Sequence, residues 1–539
     1  MTPAAKRAIE RDTDDLSLVK PKAPEPQRVA ASRYGAVATA HFDATAAAVE
    51  ILEDGGNAMD AAAAAAFALG VCEPAASGLG GQTMMLVHLA ETRQTIAIDG
   101  SSRTPNRLNP GMLTKREMRR GYRATTVPST PAALEYVRDR YGALPLSRVL
   151  EPAIRLAKNG SLVTELQSRL TRRELKALRA GTAAPFFLRD GTRVMSPGSL
   201  LTQPVLAGTL ERLAAEGIED FYQGEIAAEI ERDMVAHEGL LRRDDLAHIP
   251  WPVERRPVSG RYAGSRVLTM PPPGAGRTLV ELLNIASNLP ARKFDPDTPV
   301  GAVMLAETIR RALIDRRDRP FDPNYYASVD DRQLTSEAHA QRLAKLVRKR
   351  AETHGETTHL SVVDKAGNAV ALTQSIERVY GSCSVTPSLG FLYNDYISAF
   401  EHEDISHPYY LRPNGHPWAS VAPSIVMRRG KPWLVIGSPG SERICSSILQ
   451  VILRLQRQSP MDAVSAPRLH CSLGGRVSLE ATRMRTDIPT ALKARGFEID
   501  EREPFAFYLG CVQLVLKQGN EWVGVADLRR DGAAGVPSQ

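Results

Sequence analysis

Long apolar runs are missing from this chain. The longest, residues 61–72, is alanine-rich and bracketed by Asp60 and Glu73. It falls well short of the roughly 20 residues that cross a bilayer, so no transmembrane helix is expected. The first thirty residues mix Lys, Arg, Asp, Glu and Pro around no apolar centre, which excludes a secretory signal and makes a soluble, cytoplasmic protein the expectation. Cysteine is scarce. Cys72, Cys383, Cys445, Cys471 and Cys511 are odd in number, scattered and never spaced as CxxC, which argues against structural zinc and against a disulfide framework. One-sided charge is absent as well. The net +7 is a thin excess of 68 basic over 61 acidic residues in a chain of 539. The short basic clusters at 316–319 and 345–350 read as solvated helix faces, and with no recognition motif beside them nucleic acid is not an expected partner. Internal repeats and a clear linker are lacking too.

What is present is a globular composition, 43% hydrophobic and 24% charged, long enough for a large core. Residues 1–31 are expected to form a disordered tail. A Val-Ala strand near 36–39 then leads to a helix over about 43–54 that Gly55-Gly56 stops, and Asn57 opens an alanine-rich helix suited to close burial. The glycine run Ser77-Gly78-Leu79-Gly80-Gly81 follows a helix and precedes a strand at 84–88, the reverse of a dinucleotide site, so close backbone packing explains it better. From about 130 to 346 the pattern is mostly helical. After Thr357 it becomes strand-rich, with helical periodicity returning near 446–457 and 490–495. The change near residue 356 is the most informative boundary, dividing a helix-rich portion, 32–356, from a strand-rich portion, 357–539, within one structural unit.

At that boundary stands a hairpin. Thr357-Thr358-His359-Leu360-Ser361-Val362-Val363-Asp364 alternates and is β-branched, and residues 369–375 match it across Lys365-Ala366-Gly367. A three-residue loop ending in glycine pairs Asp364 with Asn368. Counting back sets Thr357 opposite Ser375, a hydroxyl facing a hydroxyl, with Cβ atoms roughly 5 Å apart. His359 lies on the same face as Thr357 and is given a packing or hydrogen-bonding role. Asp364 and Asn368 are turn residues, and Cys383 and Cys445 are small buried side chains. The spacing of His402, His407 and His416 fits no common metal site. No metal and no cofactor are expected.

Five segments, Gly55-Gly56-Asn57-Ala58-Met59-Asp60-Ala61, Ser77-Gly78-Leu79-Gly80-Gly81, Met270-Pro271-Pro272-Pro273, Thr357-Thr358-His359 with Ser361-Val362-Val363-Asp364, and Gly437-Ser438-Pro439-Gly440, resemble the gamma-glutamyltranspeptidase family in order and approximate spacing from about residue 32 to 530. The resemblance implies an α+β fold of the N-terminal nucleophile hydrolase kind, an αββα sandwich of two stacked, mainly antiparallel sheets flanked by helices. It also implies a precursor that cuts itself between Glu356 and Thr357, leaving two portions that remain together as a heterodimer, with a higher homo-oligomer possible. Thr357 would then be nucleophile and, through its new α-amino group with a pKa near 8, its own general base. By the same resemblance Ser375 hydrogen-bonds the nucleophile, while Gly440 and Ser441 supply the backbone N–H groups of the oxyanion hole, each worth a few kcal/mol.

The donor pocket departs from the family's pattern. Ser101 stands where an arginine clamps the donor α-carboxylate, with Arg103 two residues on the nearest cation, and Ala419-Ser420 stands for a serine pair. Glu377 replaces an asparagine, Tyr396 a small polar or acidic residue, and Ala399 an acidic one. The span between Ala399 and Ser420 is short, which implies an open site without a tyrosine-bearing lid. Glu377 is a candidate to bind an amine, and Arg378 or Arg103 an acid. The substrate is therefore expected to be a small-molecule amide. Its acyl group is either γ-glutamyl-like or of another kind, as in glutaryl-cephalosporin acylases or oxamate amidohydrolases. The alternative of another class is an uncut relative that only binds.

Overall fold

The computed structural model describes residues 25–290, 293–318, 336, 338 and 357–538. Two seven-stranded sheets dominate it. Their strands in chain order are β1 (Val29–Ser32), β2 (Gly35–Thr39), β3 (Gln82–Leu89), β4 (Gln94–Gly100), β5 (Val253–Arg255), β6 (Val258–Tyr262), β7 (Ser265–Thr269), β8 (Thr358–Asp364), β9 (Ala369–Ser375), β10 (Ser424–Arg428), β11 (Lys431–Gly437), β12 (Gln513–Gln518), β13 (Glu521–Ala526) and β14 (Ala533–Gly535). One sheet runs β14-β2-β8-β9-β3-β4-β5 and the other β1-β13-β12-β11-β10-β7-β6, every neighbouring pair antiparallel.

The sheets face each other through β8, β9 and β2 on one side and β11, β12 and β13 on the other. Helices α1 (Phe42–Glu53), α2 (Ala58–Cys72), α3 (Thr130–Tyr141) and α4 (Leu146–Asn159) cover the outside of the first sheet or stack on those that do, while α5 (Gly276–Ser287), α6 (Pro299–Asp318) and α7 (Arg443–Arg454) lie over the second. This is the expected αββα sandwich. The alanines of α2 are the reason it sits so close: 14 of its residues are buried, and its outer neighbours α1 and α4 approach a nearly smooth cylinder. Asn57 caps α2 in a capping box with Asp60. At the far end of the first sheet the Asp364 carboxylate accepts from the Ala58 N–H at 3.1 Å, tying the β8–β9 turn to the start of α2.

The hairpin has the register read from the sequence. Thr358 pairs with Gln374 and Val363 with Ala369, Asp364 N–H donates to the Asn368 carbonyl at 3.1 Å, and Gly367 takes the positive φ that the loop's third position requires, 90°. The glycines at 80 and 81 mark close backbone contact, as expected: a Cβ at Gly80 would stand 2.0 Å from the Leu392 carbonyl oxygen, and one at Gly81 2.3 Å from that of Ser375.

Two expectations need correction. Ordered structure begins before residue 32, because β1 already pairs with β13 from Val29 and the Arg28 guanidinium donates to the carbonyls of Asp527, Arg530 and Gly532. The described part of 130–346 is mostly helical, as expected, though β5, β6 and β7 also lie in it, at the margins of the two sheets; Pro257 and Gly260 interrupt the alternation over 253–262 that would have marked them. Arg316 is not on a solvated face but folds back into the protein, as described below; Arg319 and 345–350 lie outside the described residues. No helix among the described residues is long and apolar enough to cross a membrane.

Candidate active site

The first sheet brings the predicted residues into a row at one end. Thr358 sits beside Gln374, and Ser375 beside Gln82; Thr83 sits beside Gly100. Continued by one residue, the same registers line up Thr357, Ser375, Gln82 and Ser101 across four adjacent strands. At about 4.8 Å per strand, Ser101 is roughly 14 Å from Thr357. Thr357 itself is 5% exposed and Ser375 2%. Glu356 lies outside the described residues.

The head of β8 is held firmly. Thr358 Oγ1 donates to the Glu73 carboxylate at 2.6 Å, and Glu73 pairs with Arg530 at 2.5 Å. Burial raises the Glu73 carboxyl pKa, against the pull of Arg530 and Thr358. Neither Glu73 nor Arg530 was legible beforehand, since each is hundreds of residues from its partner.

Around Ser375 a polar cluster closes in. Its Oγ accepts from the Glu377 N–H at 2.8 Å, and Glu377 adopts a left-handed φ of 75°. Tyr396 is buried; burial raises its phenol well above the usual range, the neighbouring Glu377 adds to the rise, and hydrogen bonding with Ser375 and Gln82 opposes it. The Gln82 side-chain oxygen accepts from the Ser102 N–H at 2.9 Å, and Asn394 ties the Gly80 carbonyl to Thr126. Gln82 and Asn394 are thus part of the frame, missed because isolated amides carry no sequence signal.

The opposite wall comes from the second sheet. His359 is buried between the sheets, with Nδ1 2.8 Å from Thr373 Oγ1 and Nε2 3.1 Å from Ser361 Oγ. Burial lowers its pKa to about 3, so it is neutral and structural, as expected. Its ring presses on Gly437, where a Cβ would come within 2.2 Å of it. Three residues beyond that contact the chain turns at Gly440, φ 121°, and Ser441, φ 51°, immediately before α7. Both residues stand just ahead of α7, whose N-terminus is the positive end of its helix dipole.

The two predicted acid-holding positions look different. Ser101 Oγ is bonded to Asp99, Asp99 pairs with Arg255 at 3.0 Å, and Arg103 Nη2 donates to the carbonyls of Asp245 and His248 at 2.6 and 2.5 Å. These side chains line a cleft of about 690 Å³ with His248, Trp251 and His416. Arg378 is taken by Asp395 at 3.3 Å; burial pushes the Asp395 carboxyl up to about 7 against Arg120 and Arg378. Ser420, in contrast, has a cation at hand. Arg316, from the last turn of α6, reaches its Oγ at 3.3 Å and the Ala419 carbonyl at 2.8 Å, and lies 4.5 Å over the Trp418 ring. Burial lowers its pKa, while Cys445, Glu442 and Tyr409 nearby favour the charge.

The gamma-glutamyltranspeptidase family profile matches residues 44–536. The chain belongs to this family. It is 33% identical over 474 residues to the glutathione hydrolase proenzyme of Escherichia coli K12, covering 81% of each chain. It is 31% identical over 503 residues to the acylase ACY 1 proenzyme of Pseudomonas sp. V22, covering 88% of each. Among solved structures, the cephalosporin acylase of Bacillus halodurans superposes with a TM-score of 0.87 at 28% identity, covering 96% of this chain and 99% of that one. Family membership makes the chain an amide-cleaving enzyme of the N-terminal nucleophile class. The near-equal identities to a glutathione hydrolase and to an acylase leave the choice of acyl group to the pocket.

Proposed function

We propose that the chain is a precursor that cuts itself between Glu356 and Thr357, and that the freed Thr357 then transfers an acyl group from a small amide to water or an amine. The observation that carries this reading is the β8–β9 register, which, continued by one residue, sets Thr357 beside Ser375; the Gly440–Ser441 turn ahead of α7 offers two backbone N–H groups. Attack by Thr357 Oγ1 on the amide carbon, with its α-amine taking the proton, gives a tetrahedral oxyanion for those two N–H groups. Collapse expels the amine and leaves an ester, which water or a second amine resolves. Portions 1–356 and 357–539 remain one unit, because β8 and β9 are interior strands of a sheet whose other members come from both.

For the acyl group, a carboxylate-ended chain without an α-amine fits best. Ala399 offers no acid to an ammonium, Ser101 no cation to an α-carboxylate, and Arg316 beside Ser420 is a cation suited to a terminal carboxylate. Glutaryl-type amides are therefore preferred over γ-glutamyl ones. A denaturing gel and N-terminal mass determination test the processing: two pieces, the smaller beginning at Thr357, are expected, and Thr357→Ala stays whole and inert. Maturation of the alanine variant, or a different N-terminus, removes the assignment. In a chromogenic anilide panel the glutaryl compound is expected to exceed the γ-glutamyl one at least tenfold in kcat/KM, and the reverse order rejects the acyl preference.

A further inference from the structure

At the end of the sandwich opposite Thr357, the turn joining β3 to β4, the segment between β5 and β6, and the β6–β7 and β10–β11 hairpins surround a cleft of about 680 Å³. β3 alone spans eight residues from Gln82 to Leu89, about 23 Å at a strand's rise, so this cleft is remote from the acyl-transfer residues. Arg93, Arg256, Arg261, Arg266 and Arg429 line it, and no carboxylate does.

Other arginines near the first sheet are paired: Arg255 of β5 with Asp99, and Arg140 of α3 with Glu254. The five in the cleft have no carboxylate partner among the described residues. Of their side chains, only that of Arg266 makes a hydrogen bond among the described residues, Nε to Ser259 Oγ at 3.4 Å. Arg428, next to Arg429, is turned away over the Trp433 ring and bonded to Ser265, so the separation of roles within one hairpin is clear. Five guanidinium groups around one cleft repel one another and raise the local concentration of anions. Their forks match phosphate oxygens bidentately. The concavity and its volume suit a small molecule rather than a flat surface, and a diphosphate, with about three negative charges at neutral pH, offsets five cations better than a single phosphate or a dicarboxylate does.

We propose that this cleft binds a compact polyanion carrying two or more linked phosphate groups, at a site independent of acyl transfer. Titration calorimetry of the full-length enzyme with pyrophosphate and with orthophosphate, at low and at physiological salt, tests it. Saturable one-to-one binding of pyrophosphate is expected, at least tenfold tighter than orthophosphate and weaker at the higher salt. The triple variant R256Q/R266Q/R429Q is expected to lose at least tenfold in affinity while hydrolysing amides at the parental rate, which also shows that it is folded. Undiminished pyrophosphate binding by the variant overturns the site, as does the lack of saturable binding by the parent. Retention on anionic vesicles or DNA that pyrophosphate fails to displace also overturns it, by assigning the arginines to an extended surface.

Discussion

Ser375 has one hydroxyl and several claims on it: the Glu377 N–H, the Tyr396 phenol and, in register, Thr357. If Thr357 is the nucleophile, removing this hydroxyl takes away its cross-strand partner, and a hydrogen bond between the two would be worth about 1.4 kcal/mol, or tenfold in rate. Ser375→Ala is thus expected to lower kcat about tenfold with little change in KM, and Ser375→Thr to restore it; an alanine variant with parental kcat rules out the role. Arg316 predicts the converse split. If it holds the acyl carboxylate, Arg316→Gln raises KM for a glutaryl anilide at least tenfold, since truncating one partner of a buried charge pair costs about 2–5 kcal/mol, and leaves a neutral butyryl anilide unaffected. Equal losses on both substrates would mean that Arg316 only supports Trp418 and Ser420.

Elements connect these residues, and the contact of Gly437 with His359 joins the two sheets near the start of β8, two residues from Thr357. Gly437→Ala inserts a methyl into the imidazole ring. Overpacking of this kind costs about 1–3 kcal/mol, so the urea midpoint is expected to fall and amide hydrolysis with it, because β11 carries the Gly440–Ser441 turn; an unchanged midpoint and rate would show that the sheets adjust freely. The β8–β9 hairpin was legible in the sequence because strand periodicity, turn length and Gly367 are local and agree. The glycines at 80 and 81 were legible as close packing for the same reason. Arg255, Arg316, Glu73 and Gln82 were not, because each acts on residues far along the chain and nothing in its own neighbourhood announces the partner. The β6–β7 hairpin was hidden by Pro257 and Gly260, which an edge strand tolerates and a pattern search penalises. The donor pocket shares this limit: the sequence located what had been replaced at Ser101 and Ala399, but not that α6 swings a cation to Ser420.

For the molecule as a whole, the joint between the sheets carries a titratable group that must remain neutral. His359 has an ordinary pKa of 6.5 when unfolded and about 3 in place, lowered by burial. Between those values the unfolded chain binds one more proton at this site than the folded one, so stability rises with pH across the window: the contribution is fully present above 6.5 and is lost as pH falls toward 3. At pH 5 the loss is roughly 2 kcal/mol, from about 1.4 kcal/mol per unit. His41 and His470 are buried with the same direction and a similar value, about 3, while Asp395, raised to about 7, opposes them by favouring the folded state at low pH. The parental pH profile therefore mixes opposite slopes, and only a difference isolates one group. Denaturant melts of the parent and of His359→Gln, whose amide can still meet Thr373 and Ser361, are expected to differ by a constant above pH 7. Below about 6.5 the gap should shift in the variant's favour by about 1.4 kcal/mol per pH unit, whatever the offset. A gap that stays constant down to pH 4 would mean that the folded sandwich admits a charged imidazole between its sheets, and that the joint is wetter than its packing shows.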